Sequence, residues 1–165
     1  PRQGWIIWSN YEQNIFCGNM ALTQDFKEFI QLLNEKSVKY LLVGGYAVGF
    51  YGNPRFTKDL DLWLECSEEN AEKIEEVLKE FGFGSLGLSS KDFLDPEGII
   101  QLGYPPARID LIMGASGVNF EDCFPKRETV LLDGVTVNLI NLEDLKMNKK
   151  ASGRYQDLAD LENLD

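Results

Sequence analysis

Two aspartates, Asp59 and Asp61, stand one residue apart in a run that continues Leu62-Trp63-Leu64. Read with a period of two, they share one face of a strand while Leu60, Leu62 and Leu64 share the other. At the usual rise the two carboxylates lie about 6 to 7 Å apart along it. Like charges so placed repel unless a cation sits between them. The solvated face of an edge strand would explain the pair alone, but its surroundings point elsewhere. Upstream, the apolar run Tyr40–Val43 stops at Gly44-Gly45, and residues 46–51 read as a short helix. Glycine lets a ligand approach the main chain closely, and the N–H groups of a helix start, here Gly44, Gly45 and Tyr46, form an anion site. A phosphate cradle next to hard oxygen ligands suited to Mg²⁺ is what a triphosphate with its metal requires.

Holding two metals takes a third carboxylate, and the later strand around Arg108, Asp110 and Ile112 offers one. There Ile109, Leu111 and Met113 alternate with these residues. A single acid in an otherwise apolar strand demands a partner. Its neighbour Arg108 would serve as an ordinary ion pair. With Asp59 and Asp61 in view, a shared metal becomes the favoured partner.

In this order, Gly44-Gly45, thirteen intervening residues, Asp59-Leu60-Asp61 and a later Asp110 resemble the active-site signature of the polymerase-β-like nucleotidyltransferase superfamily. The wider runs GGYAVGFYGNPRFTKDLDLWL, QLGYPPARIDLIMG and LEDLKMNKKASGRYQDLADLENL are similar to small bacterial nucleotidyltransferases, including proteins grouped with the AbiEii toxins of toxin–antitoxin pairs. The similarity spans residues 21–165. It implies an α/β (α+β) fold, a mixed twisted sheet flanked by helices, and transfer of a nucleoside monophosphate from a nucleoside triphosphate to a hydroxyl, with release of pyrophosphate. Asp59, Asp61 and Asp110 would hold two Mg²⁺ (or Mn²⁺) ions, Asp110 being also the candidate to take the hydroxyl proton. Gly44, Gly45 and the helix start would cradle the phosphates. Many superfamily members carry Gly-Ser at the cradle, whereas the second residue here is Gly45, leaving backbone N–H groups only. The acceptor stays open between an RNA 3′ end, a protein side chain and a small molecule.

The C-terminal run departs from simple amphipathicity. From Leu142, the stripe through Leu145 reaches Lys149, a cation where an apolar residue would continue it. Gly153 then breaks or bends the helix, and Arg154 lines up with Leu158 and Leu161. Snorkelling of long stems would account for either cation alone. The resemblance implies that Lys149 contacts the triphosphate with Arg154 helping, and that Asp157 orients Arg154. Arg55 is placed to reach phosphate, and Thr57 to bond the turn before Asp59.

Composition bounds the rest. The 165 residues, 44% hydrophobic and 26% charged, suit one well-cored domain. No apolar run reaches the length of a membrane span and the start lacks the regions of a signal peptide, so a cytoplasmic protein without a membrane partner is expected. The chain has no histidine, which removes Ser-His and Cys-His nucleophiles and leaves carboxylates, lysines and metals for chemistry. Cys17, Cys66 and Cys123 lack metal-ligand spacing and read as reduced thiols. A net charge of −11 argues against a broad nucleic-acid surface. It leaves open a binding module, such as an antitoxin whose acidic surface meets a basic toxin, and equally an antibiotic-modifying enzyme of similar size.

In chain order, residues 1–19 differ from the remainder. Trp5, Trp8, Tyr11 and Phe16 recur without period, and the segment reads either as non-native sequence upstream of a start at Met20 or as an apolar strap. Residues 20–165 form the single domain, with a helical segment at 142–165. Thr23 caps a helix with the stripe Phe26, Phe29, Ile30 and Leu33. An acidic helix over 67–81 ends at Gly82, with its carboxylates solvated. Residues 83–98 read as a loop with a helical turn at 91–94, and acceptor contacts are assigned there. Ile99–Leu102 pairs with the Asp110 strand as a hairpin, and Asp133-Gly134 turns a second one that extends the sheet.

Overall fold

A computed structural model of the protein describes residues 5–6, 21–52, 57–104 and 107–164. Arg55, Cys17 and Met20, the Asn53-Pro54 turn, and the rest of the N-terminal segment apart from 5–6 lie outside the described residues. The order of elements is β1 (Trp5–Ile6), α1 (Gln24–Glu35), β2 (Tyr40–Val43), α2 (Gly44–Tyr51), β3 (Asp59–Leu64), α3 (Glu68–Phe81), β4 (Ile99–Leu102), β5 (Arg108–Ile112), α4 (Phe120–Cys123), β6 (Glu128–Leu132), β7 (Val135–Leu139), α5 (Leu142–Ser152) and α6 (Tyr155–Glu162). One mixed sheet runs β1-β6-β7-β2-β3-β5-β4. It is parallel at β1/β6, β7/β2 and β3/β5 and antiparallel elsewhere. The sheet flanked by helices expected from the sequence is the one that forms.

Local chemistry explains the elements. Thr23 Oγ1 accepts from the Phe26 N–H at 3.1 Å and starts α1, whose Phe26, Phe29, Ile30 and Leu33 are buried. Ser67 caps α3 in the same way, and Gly82, at φ +103°, ends it in the left-handed region. The two helices pack together, Phe29 meeting Phe81 edge-to-face at 5.1 Å. All four residues of β2 are buried, as a central strand requires, and Leu60, Leu62 and Leu64 of β3 are fully enclosed. Burial of these side chains, each contributing roughly 1.5–3 kcal/mol, fixes the register that points Asp59 and Asp61 the other way.

The β6/β7 turn has φ of +48° at Asp133 and +83° at Gly134, the tight hairpin geometry expected for this dipeptide. It also has a tertiary role that spacing could not show. Asp133 Oδ2 accepts from the Leu22 N–H at 3.1 Å and pairs with Lys27 at 3.2 Å, tying the hairpin tip to the entry of α1. Between α3 and β4 the chain forms 3₁₀ turns at Gly84–Leu86 and Ser90–Phe93, the second closed by a Ser89–Asp92 capping box.

The C-terminal helices correct one expectation. Gly153, at φ +66°, separates α5 from α6, but α6 does not continue an apolar stripe through Leu158. Asp157 and Asp160 point inward, whereas Tyr155 is 94% exposed and Leu158 46%. Lys149 brings a charge into the interior, and α6 must turn acids towards it to neutralise that charge. Among the described residues no helix is long and apolar enough to cross a membrane.

Candidate active site

Strand pairing brings the acids together. β3 and β5 run parallel with Asp61 opposite Asp110 and Asp59 opposite Arg108, and β4 adds Gln101 opposite Asp110. With neighbouring strands about 4.8 Å apart, three carboxylates and one guanidinium occupy a single patch of the sheet. α2 follows β2 directly. The helix begins at Gly44, not at residue 46, so the glycine pair is its first turn. Gly44 takes φ +67°, and a Cβ built there would collide with the Asp61 carboxylate, its Cγ at 2.7 Å and Cβ at 2.9 Å. Gly45 gives its backbone N–H to Asp61. One cradle donor is thus engaged in positioning a carboxylate. We expect Gly44→Ala to displace Asp61 and lower turnover by about 100-fold, read as kcat in a pyrophosphate-release assay beside a circular-dichroism check of folding.

The glycine pair, the three acids and the inner faces of α5 and α6 enclose a cleft of about 690 Å³. Thr57, Lys149, Arg154 and Asp157 also line it, as do Ser152, Asn148 and Gln156. Thr57 Oγ1 lies 3.4 Å from the carbonyl oxygen of Asp59, the first residue of β3. Lys149 is buried and sits 2.8 Å from Asp157 Oδ1 and 3.2 Å from Asp160 Oδ2. Asp157 also accepts from Ser152 Oγ at 2.6 Å and from Arg154 Nε at 2.8 Å. Burial opposes its charge, but hydrogen bonds from Arg154, Lys149 and Ser152 hold its carboxyl well below the usual range. The Arg154 side chain is 78% exposed at the mouth of the cleft, where an anionic ligand would enter.

Tyr46 adds no side chain to the cleft. As a residue of the first turn of α2 it turns its ring into the core against Phe26, 6.2 Å between centroids, and burial pushes its hydroxyl up to about 12. Its side chain does not line the cleft, so only its backbone could meet a phosphate.

Arg108 is the functional neighbour that spacing alone undervalued. Nε lies 2.8 Å from Asp110 Oδ1, while Nη2 lies 3.1 Å from Asp110 Oδ2 and 2.7 Å from Asp59 Oδ2. The ion pair with Asp110 was visible in the period-two pattern. The second arm, to Asp59, depends on the register between two strands distant in sequence. Among the described residues Arg108 makes no ion pair with Asp61, on which Lys149 acts only through its field. Burial, then Asp110 and then Asp59 push its carboxyl up to about 6, against the pull of Lys149 and the Gly45 N–H.

These groups suit a divalent cation in chemistry more than in present placement. Among the described residues no group of three or more carboxylates, thiols or imidazoles is gathered as a metal cage. Arg108 gives the physical reason, because it occupies oxygens of Asp59 and Asp110. Asp61 is raised first by burial and then by the charges of Asp110 and Asp59. Hard carboxylate oxygens with unrelieved repulsion are what Mg²⁺ or Mn²⁺ would satisfy.

Comparison with solved structures defines the class. The fold matches a candidate nucleotidyltransferase from Thermotoga maritima with a TM-score of 0.55 at 16% identity, over 87% of this chain and 94% of that one. It also matches the lincosamide antibiotic adenylyltransferase LnuA in its lincomycin-bound form, with a TM-score of 0.53 at 13% identity, over 87% and 96% of the two chains. This is the nucleotidyltransferase fold. The chain belongs to a family described as nucleotidyl transferases of unknown function (DUF2204), whose profile matches residues 22–165, and it is a nucleotidyltransferase. No curated protein sequence matches it.

Proposed function

We propose that the protein moves a nucleoside monophosphate from a nucleoside triphosphate to a hydroxyl acceptor, releasing pyrophosphate, in a reaction that depends on Mg²⁺ or Mn²⁺. The observation that carries this reading is the in-register pairing of Asp61 with Asp110 beneath the glycine turn of α2, within one cleft. Asp59, Asp61 and Asp110 would hold the cation, two ions in the full form, where it would offset the charge of the phosphates and lower the pKa of the acceptor hydroxyl. The chain's own residues do the remainder. Gly44 and Gly45 admit the phosphates close to the main chain, and the start of α2 faces them with its positive end. Lys149 and Arg154 offer positive charge from the opposite wall. Asp110, beside Asp61, would take the acceptor proton as the oxygen attacks the α-phosphorus and the bond to the β-phosphate oxygen breaks. Positioning and charge neutralisation would supply most of the acceleration, consistent with a chain that has no histidine.

The test is pyrophosphate release with each of the four nucleoside triphosphates and Mg²⁺ or Mn²⁺, wild type beside Asp59→Asn/Asp61→Asn. Metal-dependent release that disappears in the double variant supports the reading; equal release from both would refute it. Arg108 makes a separate prediction. Because its guanidinium competes for the same oxygens, Arg108→Gln should bind Mg²⁺ about tenfold more tightly without nucleotide, by calorimetric titration. A place in a toxin–antitoxin pair rests on the sequence resemblance alone, and co-purification of a basic protein partner is its test.

A further inference from the structure

A second cavity of about 840 Å³ lies beside the catalytic cleft and shares Gly114, Ala115 and Ser116 with it. Its volume falls in the range of small-molecule sites, roughly 300–1,000 Å³. Trp63 lines it, and Trp63 occupies the next position after Asp61 on the same face of β3, opposite Ile112 of β5. A ligand over this residue would lie about 6 to 7 Å along the strand from the Asp61 carboxylate. Two features of the wall speak to the ligand's chemistry. Glu65, Glu97, Glu121 and Asp122 contribute carboxylates, and no Lys or Arg is among the described lining residues. The apolar part is Trp63, Met113, Val118 and Phe120, with Trp63 set edge-to-face on Phe120 at 5.3 Å. Trp63 is 1% exposed, and its Nε1 is a buried donor without a hydrogen-bond partner among the described residues. Leaving such a donor unmade costs about 1–3 kcal/mol.

We infer that this cavity is the acceptor subsite of the nucleotidyl transfer proposed above, on which the inference rests, and that it takes a small hydroxylated organic cation. A polyanion such as an RNA end would meet four carboxylates, balanced only in part by Lys39 on Glu65 at 3.2 Å, and is disfavoured. An amine is attracted, and the apolar floor receives its carbon skeleton. Its hydroxyl then crosses the Gly114–Ser116 rim towards the carboxylates. Gly114 keeps that rim thin, since a Cβ there would strike the Pro96 carbonyl. In the step itself the acceptor oxygen forms a bond to the α-phosphorus, the bond from that phosphorus to the bridging oxygen breaks, pyrophosphate leaves, and the hydroxyl proton passes to Asp110.

The test uses binding, so that it does not depend on turnover. The intact protein is titrated calorimetrically with the α,β-methylene analogues of the four nucleoside triphosphates in Mg²⁺. The complex is then titrated with kanamycin and spectinomycin, both hydroxylated amines, with neutral trehalose, and with bulk transfer RNA. The inference expects at least one amine to bind and trehalose and RNA not to. It expects Glu97→Gln/Glu121→Gln, two exposed substitutions that leave the core intact, to weaken that binding about tenfold while the nucleotide analogue binds as before. If an analogue binds but neither amine does, or the amine is indifferent to the double variant, or RNA binds instead, the acceptor assignment is overturned and nucleotidyl transfer stands. If no analogue binds, the nucleotidyl-transfer reading fails with it.

Discussion

Asp61→Asn removes transfer and, in the same molecule, makes the metal-free protein more stable at neutral pH. Loss of a carboxylate that takes the Gly45 N–H, and that we propose holds the cation, should lower kcat on the order of 10³-fold. The stability gain follows from linkage. The Asp61 pKa is raised in the folded protein from 3.8 to about 6, by burial first and then by Asp110 and Asp59. Between those values the native state keeps a proton that the unfolded chain releases, so stability falls as pH rises through that window. Asparagine never ionises and escapes the loss. Urea unfolding in chelator should therefore show wild type and variant close to each other below pH 4 and separated by on the order of 2 kcal/mol at pH 7. A site built for stability would lose it on this substitution; one built to bind a cation gains it.

Lys149→Met should have the opposite effect on folding. The ammonium holds Asp157 and Asp160 together in the interior, where their side chains are 2% and 3% exposed. Methionine fills the space but removes the one cation that Asp157 and Asp160 share, leaving Arg154 on the other oxygen of Asp157, at a cost of about 3–5 kcal/mol. Because α5 and α6 meet through this network, the wall of the cleft should loosen as well. Thermal unfolding of the single variants and of Lys149→Met/Asp160→Asn gives the check, with the double variant less destabilised than the sum of the two singles. Asp157, held below the usual carboxylate range, contributes stability that is present at neutral pH and is lost only as pH falls below ordinary carboxylate values.

Period-two patterning was enough to find Asp59, Asp61 and Asp110 and to foresee both hairpins, because alternation and a turn dipeptide are local properties. The same pattern placed Trp63 on the acidic face, a signal that could have led to the second cavity. Three features needed tertiary information. Arg108 reaches Asp59 only because β3 and β5 pair with those residues opposite. α2 starts at Gly44 because the chain turns into the helix as soon as β2 ends, so that the glycine pair is itself the first turn and the Tyr46 ring packs in the core. α6 buries acids and exposes Leu158, a reversal imposed by Lys149 that apolar periodicity reads the wrong way round. Arg55, assigned to phosphate, lies outside the described residues.

Nucleotidyl transfer, as distinct from phosphoryl transfer or simple nucleotide binding, is tested most directly by following label from the two ends of the triphosphate. Parallel reactions with α-³²P and γ-³²P substrate, Mg²⁺ and a panel of RNA, protein and small-molecule acceptors should place α-label in one acceptor and γ-label only in pyrophosphate, with both signals absent in Asp61→Asn. Appearance of γ-label in the acceptor, or α-label transfer that survives Asp61→Asn, would contradict the account.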